Sequence, residues 1–287
     1  MESSLPAYTV EQVLQATGGV LLSGNAENVF YGVTTDSRQV KKGNLFVALQ
    51  GEKYDGHDFV GLAIEQGAAG CLVHSAAKLN LNAAGKEVAL IKVADTLQAF
   101  GDLAHDYRRR FSIPVIGLTG SSGKTTTKEM LAAILSRKKK TLTTEGNLNN
   151  LIGLPQTIFR LTGDHEIAVL EMGTNTRGEI KRLTQIAVPD IGLITNIGPA
   201  HLAGFGTVDI VAEEKGDLFL NMAETGTAIV NVDDEAIQTI AGKWPGKRIT
   251  FGMSSDADIT VQNIVKNGAR GISFQLMVGS SVSKVEM

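Results

Sequence analysis

Between Ile113 and Val232 short apolar runs recur along the chain, separated by longer segments that mix apolar and polar residues at helical spacing. Ile113–Leu118, Ile167–Leu170, Ile191–Thr195 and Ala228–Val232 are apolar without alternation, as in strands buried on both faces. Lys124–Ser136, Arg177–Ile186 and Ile210–Leu220 predict the intervening helices. Strands that alternate with helices predict a parallel sheet covered on both sides, with ligands bound at the carboxyl ends of its strands.

The pattern before Ile113 is shorter in period. Strands are expected at Gly32–Thr35, Leu45–Leu49, Gly70–His74 and Val88–Val93. One helix is expected after Thr9, with Gln12 completing a capping box and Gly18 stopping it. Others are expected at His57–Glu65 and from a cap at Asp95 to about Arg110. Past Arg248 the segments Arg248–Phe251, Ile259–Ile264 and Gly271–Val278 predict antiparallel strands, with a turn at Asn267-Gly268. The fold class is α/β: a small N-terminal α/β domain over residues 1–108, then a central domain over 109–287 built on a mostly parallel sheet.

Composition narrows the partners. With 43% hydrophobic and 20% charged residues in 287, the chain has an ordinary globular balance and is not of a disordered type. A formal net charge of -3 and 5% aromatics argue against a nucleic-acid or membrane-surface partner. The lone cysteine, Cys71, excludes an intrachain disulfide and fits a reducing cytoplasm. The first residues, MESSLPAYTVEQ, have neither a basic start nor an apolar stretch, so no signal peptide is expected.

The strongest chemical signal is Thr119-Gly120-Ser121-Ser122-Gly123-Lys124-Thr125-Thr126. It follows a buried strand and opens a helix, the context of a phosphate-binding P-loop. Glycines let backbone N–H groups turn inward, Lys124 neutralises phosphate charge, and the Thr125 hydroxyl suits Mg²⁺. Leu118 stands where the strict pattern has its first glycine, so the loop is a variant.

Other candidates read two ways from pattern alone. Glu171 ends a strand beside the P-loop and is either a Mg²⁺ ligand or a solvated strand-end carboxylate. Asn147, Asn149 and Asn150 bind substrate anions or cap a following helix. His201 is a metal ligand or a hydrogen-bonded loop residue. Lys215, flanked by Glu213 and Glu214, reads as a surface lysine. Asp36-Ser37-Arg38 and Asp55-Gly56-His57 suit a second anionic ligand, or are turn and cap chemistry.

Taken together the motifs resemble the Mur ligase family. The P-loop run is similar to the family's ATP loop. Glu145-Gly146-Asn147-Leu148-Asn149-Asn150, Glu171-Met172-Gly173 and Asn196-Ile197-Gly198-Pro199-Ala200-His201-Leu202 resemble the branch that adds D-alanyl-D-alanine to UDP-MurNAc-tripeptide. So do Asp36-Ser37-Arg38 and Asp55-Gly56-His57. The resemblance implies a monomeric cytoplasmic ligase that consumes ATP with Mg²⁺ through an acyl-phosphate intermediate, with UDP-MurNAc-tripeptide and D-alanyl-D-alanine as substrates. It implies nucleotide binding by Thr119 to Thr126, with Lys124 on the phosphates and Thr125, Glu171 and His201 on metal. It assigns Lys215 to a lysine that is carbamylated in the family. Asn147, Asn149 and Asn150 would lie near substrate or the γ-phosphate, and Ser37 and Arg38 would hold the UDP moiety. The family's Rossmann-like third domain has no counterpart before Met287. Weak ligation is therefore expected of this chain. A sibling Mur ligase, a non-catalytic binding fragment, and a P-loop kinase or GTPase stay open as alternatives.

Overall fold

The computed structural model describes residues 6–51, 53–74, 87–200, 205–254, 256–268 and 271–286. The chain forms two compact units, residues 1–112 with 145–165, and residues 113–144 with 166–287.

The first unit opens with β1 (Ala7–Thr9), α1 (Val10–Thr17), β2 (Val20–Ser23), β3 (Val29–Tyr31) and β4 (Val33–Thr34). It continues through β5 (Leu45–Val47), α2 (Val60–Glu65), β6 (Gly70–Val73), β7 (Ala89–Lys92) and α3 (Thr96–Arg108). Thr9 and Gln12 form the expected capping box on α1, which ends at Gly18 in the left-handed region. Asp95 caps α3 by accepting from the Gln98 N–H at 2.9 Å. The sheet order is β2-β7-β6-β5-β4, parallel except for β2 against β7. Phe46, Val60, Ala63, Cys71 and Leu90 form a core between this sheet and α2.

The second unit begins with β8 (Val115–Thr119), α4 (Lys124–Leu135) and β9 (Thr141–Thr143). The chain then returns to the first unit for α5 (Gly153–Ile158). The expected boundary at 108/109 lies close to the first crossing, after Ser112, but the chain crosses twice more. The cause is apolar: Leu154, Ile158 and Phe159 are buried. Phe159 packs its ring 5.6 Å from Phe100 of α3, and the Tyr107 hydroxyl donates to Leu161 O at 2.8 Å.

Back in the second unit come β10 (Ile167–Glu171), α6 (Glu179–Ala187), β11 (Ile191–Ile194), α7 (Val208–Leu220), β12 (Thr227–Asn231) and α8 (Glu235–Gly242). Four strands close the chain: β13 (Lys247–Gly252), β14 (Ile259–Lys266), β15 (Ile272–Val278) and β16 (Ser281–Glu286). The nine strands run in the order β16-β15-β14-β13-β12-β11-β8-β10-β9. From β9 to β13 every pairing is parallel.

The strand at Arg248–Phe251 corrects an expectation. It is parallel to both neighbours: to β12 because α8 carries the chain back over the sheet before β13 begins, and to β14 through Phe251 and Gly252, which pair with the start of that strand. Antiparallel pairing starts only at β14 with β15 and continues to β16. No described helix is long and apolar enough to cross a membrane.

Candidate active site

β8 lies between β10 and β11, so its carboxyl end opens at the centre of the parallel sheet. Gly120 follows at φ 150°, and a Cβ there would collide with the Thr195 hydroxyl at the end of β11. Gly123 sits at φ 76° at the head of α4, with open space where a side chain would stand. Both positions favour glycine on backbone grounds alone.

Between them the loop is pinned from β11. The N–H groups of Ser121 and Ser122 donate to Asn196 O and Oδ1, both at 3.0 Å. The Thr195 hydroxyl and Asn196 Nδ2 donate to Ser122 O at 2.6 and 3.1 Å. The Ser121 hydroxyl donates to Gly198 O at 3.0 Å.

Helix α4 then starts without a side-chain cap. Its first N–H groups have no acceptor within the helix and carry the positive end of its dipole. Lys124 folds back over the loop and its Nζ donates to Gly120 O at 2.9 Å. Thr119 is fully buried beneath, and its hydroxyl has no hydrogen-bond partner. Thr126 is exposed. A loop with two glycines, a lysine and a helix N-terminus has the chemistry of an anion cradle.

The Thr125 hydroxyl lies 3.3 Å from Glu171 Oε1, where it donates to the carboxylate. Glu171 is only 2% exposed, so it is not a solvated strand-end residue. Two hard oxygen donors beside an anion cradle are the donor chemistry of a Mg²⁺ site that keeps waters and phosphate oxygens as its other ligands. Among the described residues no group of three His, Cys, Asp or Glu converges. His201 lies outside the described residues.

Lys215, on α7, is 2% exposed, which overturns its reading as a surface lysine. Burial pushes its pKa down to about 8, the Lys124 ammonium pushes the same way, and Glu214 opposes both. Glu214 is itself buried, with Oε1 accepting from the Ile180 N–H at 2.8 Å and the Thr174 hydroxyl at 3.1 Å. Its Oε2 accepts from the Gly178 N–H at 2.6 Å.

The remaining candidates belong to the first unit. Asn150 Oδ1 accepts from the N–H groups of Ile152 and Gly153 at 3.1 and 2.8 Å, so its carboxamide oxygen caps the turn into α5. Asn147 is exposed and Asn149 half-buried. Ser37 is buried in a short 3₁₀ turn, Ser37–Gln39. Arg38 is exposed and clasps Asp36, with Nε to Oδ1 at 2.9 Å and Nη2 to Oδ2 at 2.8 Å. Those hydrogen bonds hold the Asp36 carboxyl at about 2. Beside this turn a cavity of about 410 Å³ is lined by Thr34, Thr35, Asp36, Gln156, Phe159 and Arg160 among others.

The sequence matches a family model described as the Mur ligase middle domain over residues 118–287. The chain belongs to the Mur ligase family. A second model, described as the Mur ligase family catalytic domain, matches residues 29–108. The UDP-N-acetylmuramoyl-tripeptide–D-alanyl-D-alanine ligase of Escherichia coli is 43% identical over 90% of this chain. That of Synechocystis is 38% identical over 93%. The chain spans 56% and 59% of the length of these two relatives. Among solved structures, MurF from Acinetobacter baumannii matches with a TM-score of 0.89 at 35% identity, covering 99% of this chain and 61% of that one. MurF from Thermotoga maritima in complex with ADP matches at 0.79 and 30% identity, covering 88% and 57%.

In this Mur ligase chain, then, the second unit gathers the P-loop, Thr125, Glu171 and Lys215, and the first unit carries the asparagines, Ser37 and Arg38. Sequence reasoning missed Gln156 and Arg160, which are polar residues on a short helix and its end with no motif to mark them. It also passed over Thr195 and the clamping role of Asn196. A polar pair directly after a buried strand, facing a glycine loop, is the signal that finds them.

Proposed function

We propose that this chain is the UDP-sugar- and nucleotide-binding part of an ATP-dependent ligase that joins D-alanyl-D-alanine to UDP-MurNAc-tripeptide. The observation that carries the reading is the anion cradle with Lys124, Thr125 and Glu171 at the carboxyl ends of β8 and β10. It occurs in a chain whose curated relatives are named for that reaction.

A carboxylate is a poor electrophile. Moving the γ-phosphoryl of ATP onto the tripeptide carboxylate makes an acyl phosphate, and the dipeptide amine then displaces phosphate to form the amide. Residues Thr119 to Thr126 hold the nucleotide phosphates, with the Lys124 ammonium meeting the charge that develops on the transferred group. Thr125, Glu171 and His201 would hold Mg²⁺, which would supply further neutralisation of that charge. The first unit, with Ser37, Arg38 and the adjoining cavity, takes the UDP-sugar, and Asn147, Asn149 and Asn150 serve the substrate end. We place this work in the cytoplasm, by a monomer.

The test is calorimetry of the 287-residue chain with MgADP and with UDP-MurNAc-tripeptide, followed by mass detection of the pentapeptide product with ATP and D-alanyl-D-alanine. Binding of both ligands supports the reading. Failure to bind either one sinks it, whatever the turnover.

A pH dependence belongs to Lys215. Its neutral amine attacks CO₂, forming an N–C bond and releasing one proton, to give a carbamate that carries negative charge in the site. With its pKa at about 8 rather than 10.5, the neutral amine is more abundant at pH 8 by about two orders of magnitude than in an exposed lysine. Carbon-13 NMR with labelled bicarbonate is expected to show one carbamate signal at pH 8 that is absent in Lys215→Met. The signal should fade as pH falls below about 8, where the amine is protonated. A signal that survives in the variant, or none at any pH, refutes the assignment.

A further inference from the structure

We propose that Lys128 is a positioning residue for the Glu171 carboxylate, acting through Thr144. The inference rests on the reading of a magnesium–nucleotide site at Thr125 and Glu171.

Lys128 stands one helical turn beyond Lys124 on α4, and its side chain is fully buried. Burying an ammonium is costly unless its donors are met. A methionine would fill the same space without that cost. What the ammonium adds is hydrogen bonding, and its Nζ donates to Thr144 O at 2.8 Å and pairs with Glu129 Oε1 at 2.8 Å.

Thr144 is also fully buried, one residue past the end of β9. Its own N–H donates to Val169 O at 3.2 Å. The parallel ladder of β9 with β10 ends at Thr143 opposite Val169. Beyond that point β9 offers β10 no further paired residue, and the Thr144 hydroxyl takes over, accepting the Glu171 N–H at 3.0 Å. On its other edge β10 stays paired with β8, with Glu171 opposite Leu118.

Helix α4 therefore grips Glu171 twice. Thr125 meets the carboxylate directly, and Lys128 fixes the strand end whose hydroxyl anchors the Glu171 backbone. Both grips come from the helix that opens at the P-loop. The phosphate cradle and the carboxylate are thus held in register by one rigid element.

The experiment is ADP binding to the full chain by calorimetry, over a Mg²⁺ series and in EDTA, with thermal melts as the check on folding. In wild type Mg²⁺ is expected to tighten ADP. In Lys128→Met the affinity in EDTA should stay within about twofold of wild type, while the Mg²⁺ concentration giving half the enhancement rises about tenfold. Thr144→Val should shift the same half-point, and Thr144→Ser, which keeps the hydroxyl, should not. The Thr144 pair decides the matter should Lys128→Met fail to fold. A wild-type half-point in Lys128→Met and Thr144→Val overturns the inference. So does a loss of stability or of metal-free affinity with the half-point unmoved, which is the mark of a merely structural lysine. Wild type that binds ADP with no response to Mg²⁺ overturns the underlying reading as well, and is distinguishable because it needs no variant.

Discussion

Replacing Lys124 with methionine is expected to weaken MgADP binding at least tenfold, about 1.4 kcal/mol or more, and to cut phosphate release about 10³-fold wherever turnover is measurable. The methionine keeps the length and bulk of the side chain, so the loss reports the ammonium. Two effects of that ammonium must be separated. It tethers the loop through Gly120 O at 2.9 Å, and it stands ready to meet phosphate oxygens. The tether alone is one ordinary hydrogen bond, worth about 1 kcal/mol, and cannot account for a thousandfold loss in rate. Lys124→Arg tests the geometry, because a planar guanidinium cannot fold over the loop as a compact ammonium does, so rescue is not expected. A further consequence falls on Lys215, which loses a repelling neighbour and is expected to titrate higher in the variant. Retention of more than a tenth of wild-type phosphate release would refute the role.

Replacing Glu214 with alanine is expected to destabilise the second unit by about 2–5 kcal/mol, read from urea melts, at about 1–3 kcal/mol for each buried donor left without an acceptor. Two donors lose their acceptor at once, the N–H groups of Gly178 and Ile180, while the Thr174 hydroxyl keeps Thr176 O at 2.9 Å. All lie in or next to the loop that leads from β10 into α6. Glu214 is 4% exposed, so water cannot readily replace it. Glu213, its neighbour, is the natural control. Its carboxylate pairs with Arg177 at 2.7 Å, but both side chains are more than half exposed. Glu213→Ala should cost less than about 1 kcal/mol. Equal losses from the two variants would show that the buried carboxylate is not what holds the loop.

The contrast between adjacent glutamates also marks where sequence reading stops. The parallel strands of the second unit were legible because burial on both faces leaves an unbroken apolar run, as in Ile167–Leu170. The P-loop was legible because glycine, lysine and threonine each answer a separate demand of phosphate binding. Lys215 was not, because its Glu neighbours make the segment look solvated. It is buried because α7 lies close on the sheet, where glycines leave room: a Cβ on Gly192 would press on Met222 and Phe219, and one on Gly117 would meet Leu218. Lys128 hides in a polar run for a similar reason, since no helical pattern announces a charge that is wanted inside. The short elements β1, β9 and α5 have too few residues for a period to register, and β16 is almost wholly exposed, so no apolar face marks it. The direction of β13 depends on α8, whose eight residues were not read as a helix.

The route of the chain has a consequence for how it can be made. On a ribosome the first unit cannot close its core when residue 112 emerges, because Leu154, Ile158 and Phe159 have not yet been synthesised. By the time those three have emerged, the strand and helix that carry the phosphate loop are already out of the exit tunnel, without β10 and β11 to flank them. Domains that are continuous in sequence can fold one after another as they appear. Here the first must wait for residues 145–165, which interrupt the second, and this sets a long window in which the apolar strand β8 has emerged without its neighbours. Cutting the gene at the first crossing would remove residues 145–165 from the first unit for good, so a fragment ending near residue 112 carries a sheet whose third helix, α3, has lost the aromatic partner it packs against.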